Sequence, residues 1–468
     1  VIRAIAALLC VLPIVALLIV VHPPGEGPDD GRTALRIWHP WGGPLLEPWV
    51  DAVALYERAH PDTRTRLLFT PGDLANSQKF FTAVIGHCAP EVIFVDGPQV
   101  PEWAERGLLT PLDGLLREAG VDPERLAGEF FAPCWKQCVY NGHIYALTYC
   151  ADPNFAFSWN RGLLRRLVAD GEVPPGAIEP EQPPETLADL DRLNAACTRL
   201  ADVGGDQRGA RIGLIPWGIY GNANSLFTWG WAFGGEFYDD VRQRVTADDP
   251  KVVAALEWMA GYARTYGYAR IGTVQESFGM AEHNPFIVGR QALQVLHISG
   301  LANVQRYAPQ MDFGLGFLPQ PPGGERHSAW LGGWTLAIPS GTDPARRAAA
   351  LRFMLWACAS QEGTSMAVRT ARLFPGWKPS AYWAEAGKDP HLAVYVQVLA
   401  ECRHQRPVMP VQSFYVRELH RAVDRVLREE RHADGTPVTA AEALAEATAR
   451  TQQQLDHVIH RARAGGAP

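Results

Sequence analysis

An α/β chain folded as two lobes is what the sequence predicts, and three observations predict it. Short strand-like runs at 34–38 (ALRIW), 67–69 (LLF) and 91–96 (EVIFVD) alternate with helical patterns near the amino end, the opening of an open sheet with right-handed, parallel crossovers. Strand-like and helical segments keep alternating to about residue 339 of a 468-residue chain, more segments than one sheet accommodates. Finally, 47% hydrophobic and 20% charged residues with no internal repeat are enough for sizeable cores and do not suit a disulfide scaffold, a collagen or a disordered chain.

The elements follow in order. Residues 4–21 (AIAALLCVLPIVALLIVV) carry no charge, and eighteen helical residues would span roughly 27 Å, close to a hydrocarbon core. The following His22-Pro23-Pro24 lacks the small residues of a cleavage site, so an uncleaved anchor is expected. Arg3 precedes the run while Glu26, Asp29 and Asp30 follow it, which places the amino end in the cytoplasm and the rest outside. Residues 23–31 read as a Pro/Gly/acidic tether.

Beyond the tether, Val50, Val53 and Tyr56 recur at helical spacing, as do Phe80, Phe81 and Val84. Residues 173–184 (VPPGAIEPEQPP) read as a surface insertion, 187–200 as helix, 212–217 as strand and 251–266 as helix. Further strands are expected at 312–318 and 334–339, then helices to the end. The last helix opens on a capping box, Thr439 with Glu442, with Leu444, Ala447, Thr451, Leu455 and Val458 on one face.

A net charge of −7 without basic blocks gives no footprint for nucleic acid. Nucleophile-elbow, phosphate-loop and zinc-helix motifs are absent, and Gly314-Leu315-Gly316 lacks the third glycine of a dinucleotide turn. His457 and His460 fit a solvated helix face. Carboxylates for glycoside cleavage could be drawn from Asp96, Asp152 and Glu236, although no spacing selects them. Of eight cysteines, one lies in the apolar run and seven cannot all pair. Cys134, Cys138 and Cys150 cluster as a disulfide pair, as buried thiols, or with His143 as a metal site.

The unusual count is 15 Trp. Trp38 and Trp41, Trp217 and Tyr220, Trp229 and Trp231, and Trp330 and Trp334 stand beside Gly-rich turns. Each alone suits a core. Together they suit a carbohydrate site, because sugars stack their C–H faces on indole and pair their hydroxyls with carboxylates and amides. Asp96 and Asp152 stand at predicted strand-end turns, where each also suits a cap or turn.

At this point the chain resembles the extracellular solute-binding proteins, family 1, that serve ABC importers for sugars. Residues 91–109 (EVIFVDGPQVPEWAERGLL) resemble the family's buried strand and helix, and 141–147 (NGHIYAL) its G-K-I-Y-G-L-P segment, with Thr148 in place of the usual proline. Residues 225–238 resemble its aromatic stretch, 286–292 its F-x-x-G-K-A-A element, and 331–339 its G-G-x-x-L-A-I-P strand. The likeness covers about residues 35–459.

It implies a two-lobed periplasmic-binding-protein fold of type II, with 32–148 and 290–337 in one lobe and 149–289 and 338–468 in the other. It further implies a cleft lined by Asp96, Tyr149, Asp152, Trp229, Trp231, Gly333 and Trp334, and more loosely by Trp41. The function so implied is carbohydrate capture for ABC permease subunits, by a monomer with no reaction, cofactor or metal. A sensory receptor for a membrane signalling protein and a glycoside hydrolase are the alternatives. Two departures are the membrane helix where many relatives carry a lipidated cysteine, and the number of cysteines.

Overall fold

The computed structural model describes residues 31–42, 46–70, 74–151, 155–200, 209–276, 281–371 and 373–465. The apolar run at 4–21 lies outside them, and among the described residues no helix is long and apolar enough to cross a membrane.

Two sheets position the site. Their strands are β1 (Thr33–His39), β2 (Thr63–Phe69), β3 (Val92–Asp96), β4 (Ala146–Thr148), β5 (Phe155–Trp159), β6 (Leu293–His297), β7 (Gly314–Gly316) and β8 (Trp334–Ala337). The first sheet has the order β2-β1-β3-β8-β4. Its β1, β2 and β3 are parallel, joined by helices Leu46–Ala59 and Leu74–Ile85, as the alternation predicts. The sequence VIFV makes β3 a central strand, since all four residues are buried and so both faces must be covered. The expected strand at 334–339 is shorter, and it enters antiparallel between β3 and β4. Its one polar residue is satisfied, because Thr335 Oγ1 donates to the Val95 carbonyl at 3.0 Å.

The second sheet, β6-β5-β7, is antiparallel throughout. Its pairing corrects two expected boundaries. Residues 293–297 and 314–316, expected with the first lobe, hydrogen-bond to β5 instead. Helices Pro344–Ala359 and Gln361–Ala371, expected with the second, pack on β1 and on helix Leu46–Ala59. Helices Gln412–Leu427 and Ala440–Gly465 do pack beside the second sheet's core, against helix Pro250–Tyr266. The capping box of the last helix forms, with Glu442 N donating to Thr439 Oγ1 at 3.2 Å and Thr439 N donating to Glu442 Oε2 at 2.9 Å.

Two other expectations are corrected. Residues 212–217 form no strand beyond single bridges, because side chains take the ladder's place: Asn194 Oδ1 accepts from Leu214 N at 2.7 Å and Thr198 Oγ1 from Gly213 N at 3.1 Å. The Pro-rich insertion is docked rather than superficial, with Val173 and Ile178 buried and the Trp159 indole donating to the Pro180 carbonyl at 3.0 Å. The seven described cysteines are free thiols, so the disulfide alternative is not realised, and among the described residues no cluster could hold a metal. Cys134 donates to the Gly332 carbonyl at 3.8 Å, and burial pushes its thiol pKa well up.

Candidate functional site

The site is built on the carboxyl end of β3, where open sheets gather ligands. Antiparallel register sets Trp334 opposite Asp96, and Gly97 N donates to the Gly333 carbonyl at 2.9 Å. The Gln137 amide packs directly on Gly97, 1.9 Å from where a Cβ would lie, so a side chain at 97 would have to displace it. At 333 the backbone has φ +118°, a glycine conformation.

Asp96 occupies an N-cap position but makes no cap hydrogen bond. Its carboxylate instead accepts from Arg406 Nη2 at 2.5 Å. The Arg406 guanidinium lies 5.3 Å from the Trp330 ring, whose indole donates to Thr228 Oγ1 at 2.9 Å. Trp231 lies 6.0 Å from Trp330 and stacks on His404 at 5.1 Å and 19°. His404 Nε2 in turn stands 3.0 Å from Glu325 Oε2.

Of these groups Trp231, Glu325, His404 and Arg406 border a cavity of about 360 Å³, lined besides by Lys136 from the first lobe, by Glu236, Tyr238 and Asp240 from the second, and by the rest of residues 403–408. Lys136 and Asp240 form an ion pair across it. Desolvation in the cavity wall raises the pKa of the Glu236 carboxyl, opposed by His404 and reinforced by Glu325. Burial pushes the Tyr238 phenol up to about 12.

The residues implied by the sequence are distributed unevenly around this cavity. Trp231 lines it, and Asp96 reaches it through Arg406. Trp334 is half-buried behind Asp96 with Trp41 edge-on at 5.7 Å. Tyr149 is core, packed on Trp49 at 5.4 Å. Trp229 is a correction: it is fully buried, donates to the Pro216 carbonyl at 2.8 Å and packs on Trp258 at 4.6 Å, so no ligand face is left. The reason is local. Residues 222–232 form a helix that is apolar on nearly every side and therefore buried all round, not a loop beside glycines. Asp152 lies outside the described residues.

Sequence reasoning missed Lys136, Asp240, Glu325, His404 and Arg406. The available signal was the run CRHQRPVMP at 402–410, a polar, Pro-containing break where only helices were expected.

Residues 68–394 match the family described as bacterial extracellular solute-binding protein. Among solved structures, CpMnBP1 with mannotriose bound is similar with a TM-score of 0.74 at 22% identity, over 89% of this chain and 99% of that one. The GacH receptor of Streptomyces glaucescens, solved unliganded and with acarbose, gives a TM-score of 0.70 at 18% identity, over 91% and 99%. UgpB from Mycobacterium tuberculosis, solved with glycerophosphocholine, gives 0.68 at 21%, over 92% and 99%. They show the two-lobed α/β solute-binding fold. Among curated proteins none matches this sequence.

Proposed function

We propose, from the premise that this chain belongs to the bacterial extracellular solute-binding proteins, that it is the solute-capturing component of an ABC importer and holds a sugar or oligosaccharide between its lobes. The observation that carries this reading is the cavity wall, where the Trp231 indole stands among Glu236, Glu325 and Arg406. Carboxylates and a guanidinium take a sugar's hydroxyls, and Trp231, 2% exposed and stacked on Phe227 and His404, backs the wall that presents them. Lys136 pairs with Asp240 and Arg406 with Asp96, and His404 Nε2 stands against Glu325, which leaves the Glu236 carboxyl facing the cavity. Relatives of the same fold solved with mannotriose and with acarbose support this reading.

No reaction is involved. A ligand touching both lobes binds fully only when they are closed, so it shifts the population toward closure, and the closed form is what a permease would receive. The chain works at the extracytoplasmic face, tethered by the apolar run at 4–21. Amino-terminal sequencing of the mature protein tests the tether, and a start beyond His22 would remove it.

A thermal-shift panel of mono-, di- and trisaccharides tests the ligand class, since a ligand at 100 times its Kd adds about 2.7 kcal/mol to stability. A shift with at least one saccharide is expected. A shift with glycerophosphocholine and with no saccharide would sink the carbohydrate assignment.

A further inference from the structure

Glu236 and Tyr238 line the cavity on either side of Phe237, whose ring turns into the core, 1% exposed and 4.6 Å from Phe227. The backbone that carries them is fixed. Tyr415 Oη and Thr246 N donate to the Phe237 carbonyl at 2.8 and 3.1 Å, and Thr246 Oγ1 donates to the Glu236 carbonyl at 2.9 Å. The Glu236 carboxylate itself, among the described residues, accepts no hydrogen bond and joins no ion pair. It is an anchored acceptor without a donor.

Its surroundings are negative. Helix Asn222–Ala232 ends just before it, and the carboxyl end of a helix carries a partial negative charge that favours cations. Glu325 is brought to the same helix end, since its N donates to the Ala232 carbonyl at 3.0 Å. Two carboxylates at the negative pole of a helix break the usual rule, and such breaks concentrate at functional sites. Desolvation and the charges of Glu325, Asp249 and Asp240 raise the Glu236 carboxyl pKa, and only His404 opposes them. The cations at hand leave Glu236 unanswered. Lys136 pairs with Asp240, and His404 Nε2 stands against Glu325. Lys251 Nζ lies beside Gly234, 3.3 Å from where a Cβ would be, and Arg403 lines the cavity, yet among the described residues neither pairs with Glu236.

We propose that the solute is a sugar bearing an ammonium group and that Glu236 receives that group. This rests on the carbohydrate reading above and narrows it to amino sugars. An ammonium brings a positive charge and three donors. Glu236 takes the charge, while Glu325 and the phenol oxygen of Tyr238 are further acceptors on the same wall. A hydroxyl in that place would bring one donor and no charge, and would leave the repulsion among the carboxylates standing. Charge-assisted hydrogen bonds are also roughly twice as strong as neutral ones. An acidic sugar would add one more like charge.

The test is calorimetric titration of the full chain at neutral pH with glucose, mannose, galactose and cellotriose, with the 2-amino and 6-amino derivatives of the three monosaccharides and the β-1,4 glucosamine trisaccharide, and with glucuronic acid. In the wild type at least one amine should bind at least about tenfold more tightly than its neutral parent, and added salt should narrow that ratio. Glu236→Gln keeps a hydroxyl acceptor but not the charge, so the ratio should fall to about one without a lower melting temperature, because like-charge repulsion is relieved. Glu236→Asp keeps the charge, and a preference of at least about threefold should remain. Neutral sugars that bind as tightly as every amine would overturn the proposal and leave the carbohydrate reading standing, as would glucuronic acid binding more tightly than glucose. A ratio that survives Glu236→Gln would overturn the role of Glu236. Binding of none of these sugars would overturn the carbohydrate reading itself.

Discussion

Replacing Asp96 with asparagine should loosen the grip between the lobes more than it loosens the fold. Asp96 ends β3 in the first sheet, whereas Arg406 belongs to a segment whose Met409 and Val411 are buried in the second core. The pair is 2.5 Å apart, with the Arg406 and Asp96 side chains 13% and 28% exposed. That places it between an exposed pair, contributing at most about 1 kcal/mol, and a buried pair whose disruption costs about 3–5 kcal/mol. Asparagine still offers a carbonyl oxygen, and Arg406 keeps its place over Trp330. A loss of roughly 2 kcal/mol in affinity follows, about thirtyfold in Kd. Calorimetry with a sugar found in the thermal screen would read it, beside urea unfolding and small-angle scattering of the ligand-free protein. The double-mutant cycle with Arg406→Gln should give a coupling energy of similar size. An unfolding free energy that falls by about 2 kcal/mol at constant affinity and radius of gyration would refute the reasoning and make the pair a strut within one lobe.

The other predictions rest on single observations. Trp229→Ala should cost about 3–5 kcal/mol of stability, and at temperatures where the variant is folded its ligand affinity should match the wild type's; a selective affinity loss would return Trp229 to the site. Lys136→Met should leave the unfolding midpoint within experimental error, since both partners in the Lys136–Asp240 pair are about half exposed, and it should reduce the fall of ligand affinity with added salt, leaving the share carried by Asp96–Arg406; an unaltered salt dependence counts against a clasp. Burial lowers the His39 pKa to about 4 from 6.5, so between those values the unfolded chain binds the extra proton and stability falls as pH drops through the window. From pH 7 to 5 His39 should account for roughly 2 kcal/mol of that fall, and His39→Gln should show a shallower decline by chemical denaturation; parallel curves for the two proteins contradict the assignment.

The first sheet was legible because its signals are local. The run VIFV in β3 and the helical spacing of Val50, Val53 and Tyr56 each state their periodicity within a few residues. The position of β8 was not, since 334–339 reads as a strand but nothing in it says that it enters antiparallel between β3 and β4. The lobe boundaries failed for a related reason. Residues 293–297 and 314–316 reach β5 across well over a hundred residues of chain, and such pairing leaves no trace in local pattern. Tryptophans misled in a specific way: Trp229 and Trp231 sit two apart in one helix, yet only Trp231 borders the cavity while the other is packed on Trp258. Both are buried, so tryptophan composition read as an open sugar platform here marks a packed helix instead.

The floor of the cleft and its walls are held by different forces. Under the floor, Gly97 N donates to the Gly333 carbonyl and Leu331 N donates to the His404 carbonyl at 3.0 Å, so strand end and turn are joined by backbone, and the 402–410 segment is anchored to that turn at His404 while Arg406 lies beyond the anchor. Above it, the lobes meet across the cavity through Lys136 with Asp240 and Asp96 with Arg406. Backbone locks do not yield to a ligand. Ion pairs do, at about 1 kcal/mol for the half-exposed Lys136–Asp240 pair and about 2 kcal/mol for the less exposed Asp96–Arg406 pair, because water and salt offer each partner an alternative. The lobes can therefore part without disturbing either core, and the contacts that decide whether they stay together are those a ligand adds to the cavity-lining residues Glu236 and Tyr238 on one side and Lys136 on the other. On this division of labour, a substitution in the floor should change how well the protein folds, and a substitution in the walls should change how long it stays closed.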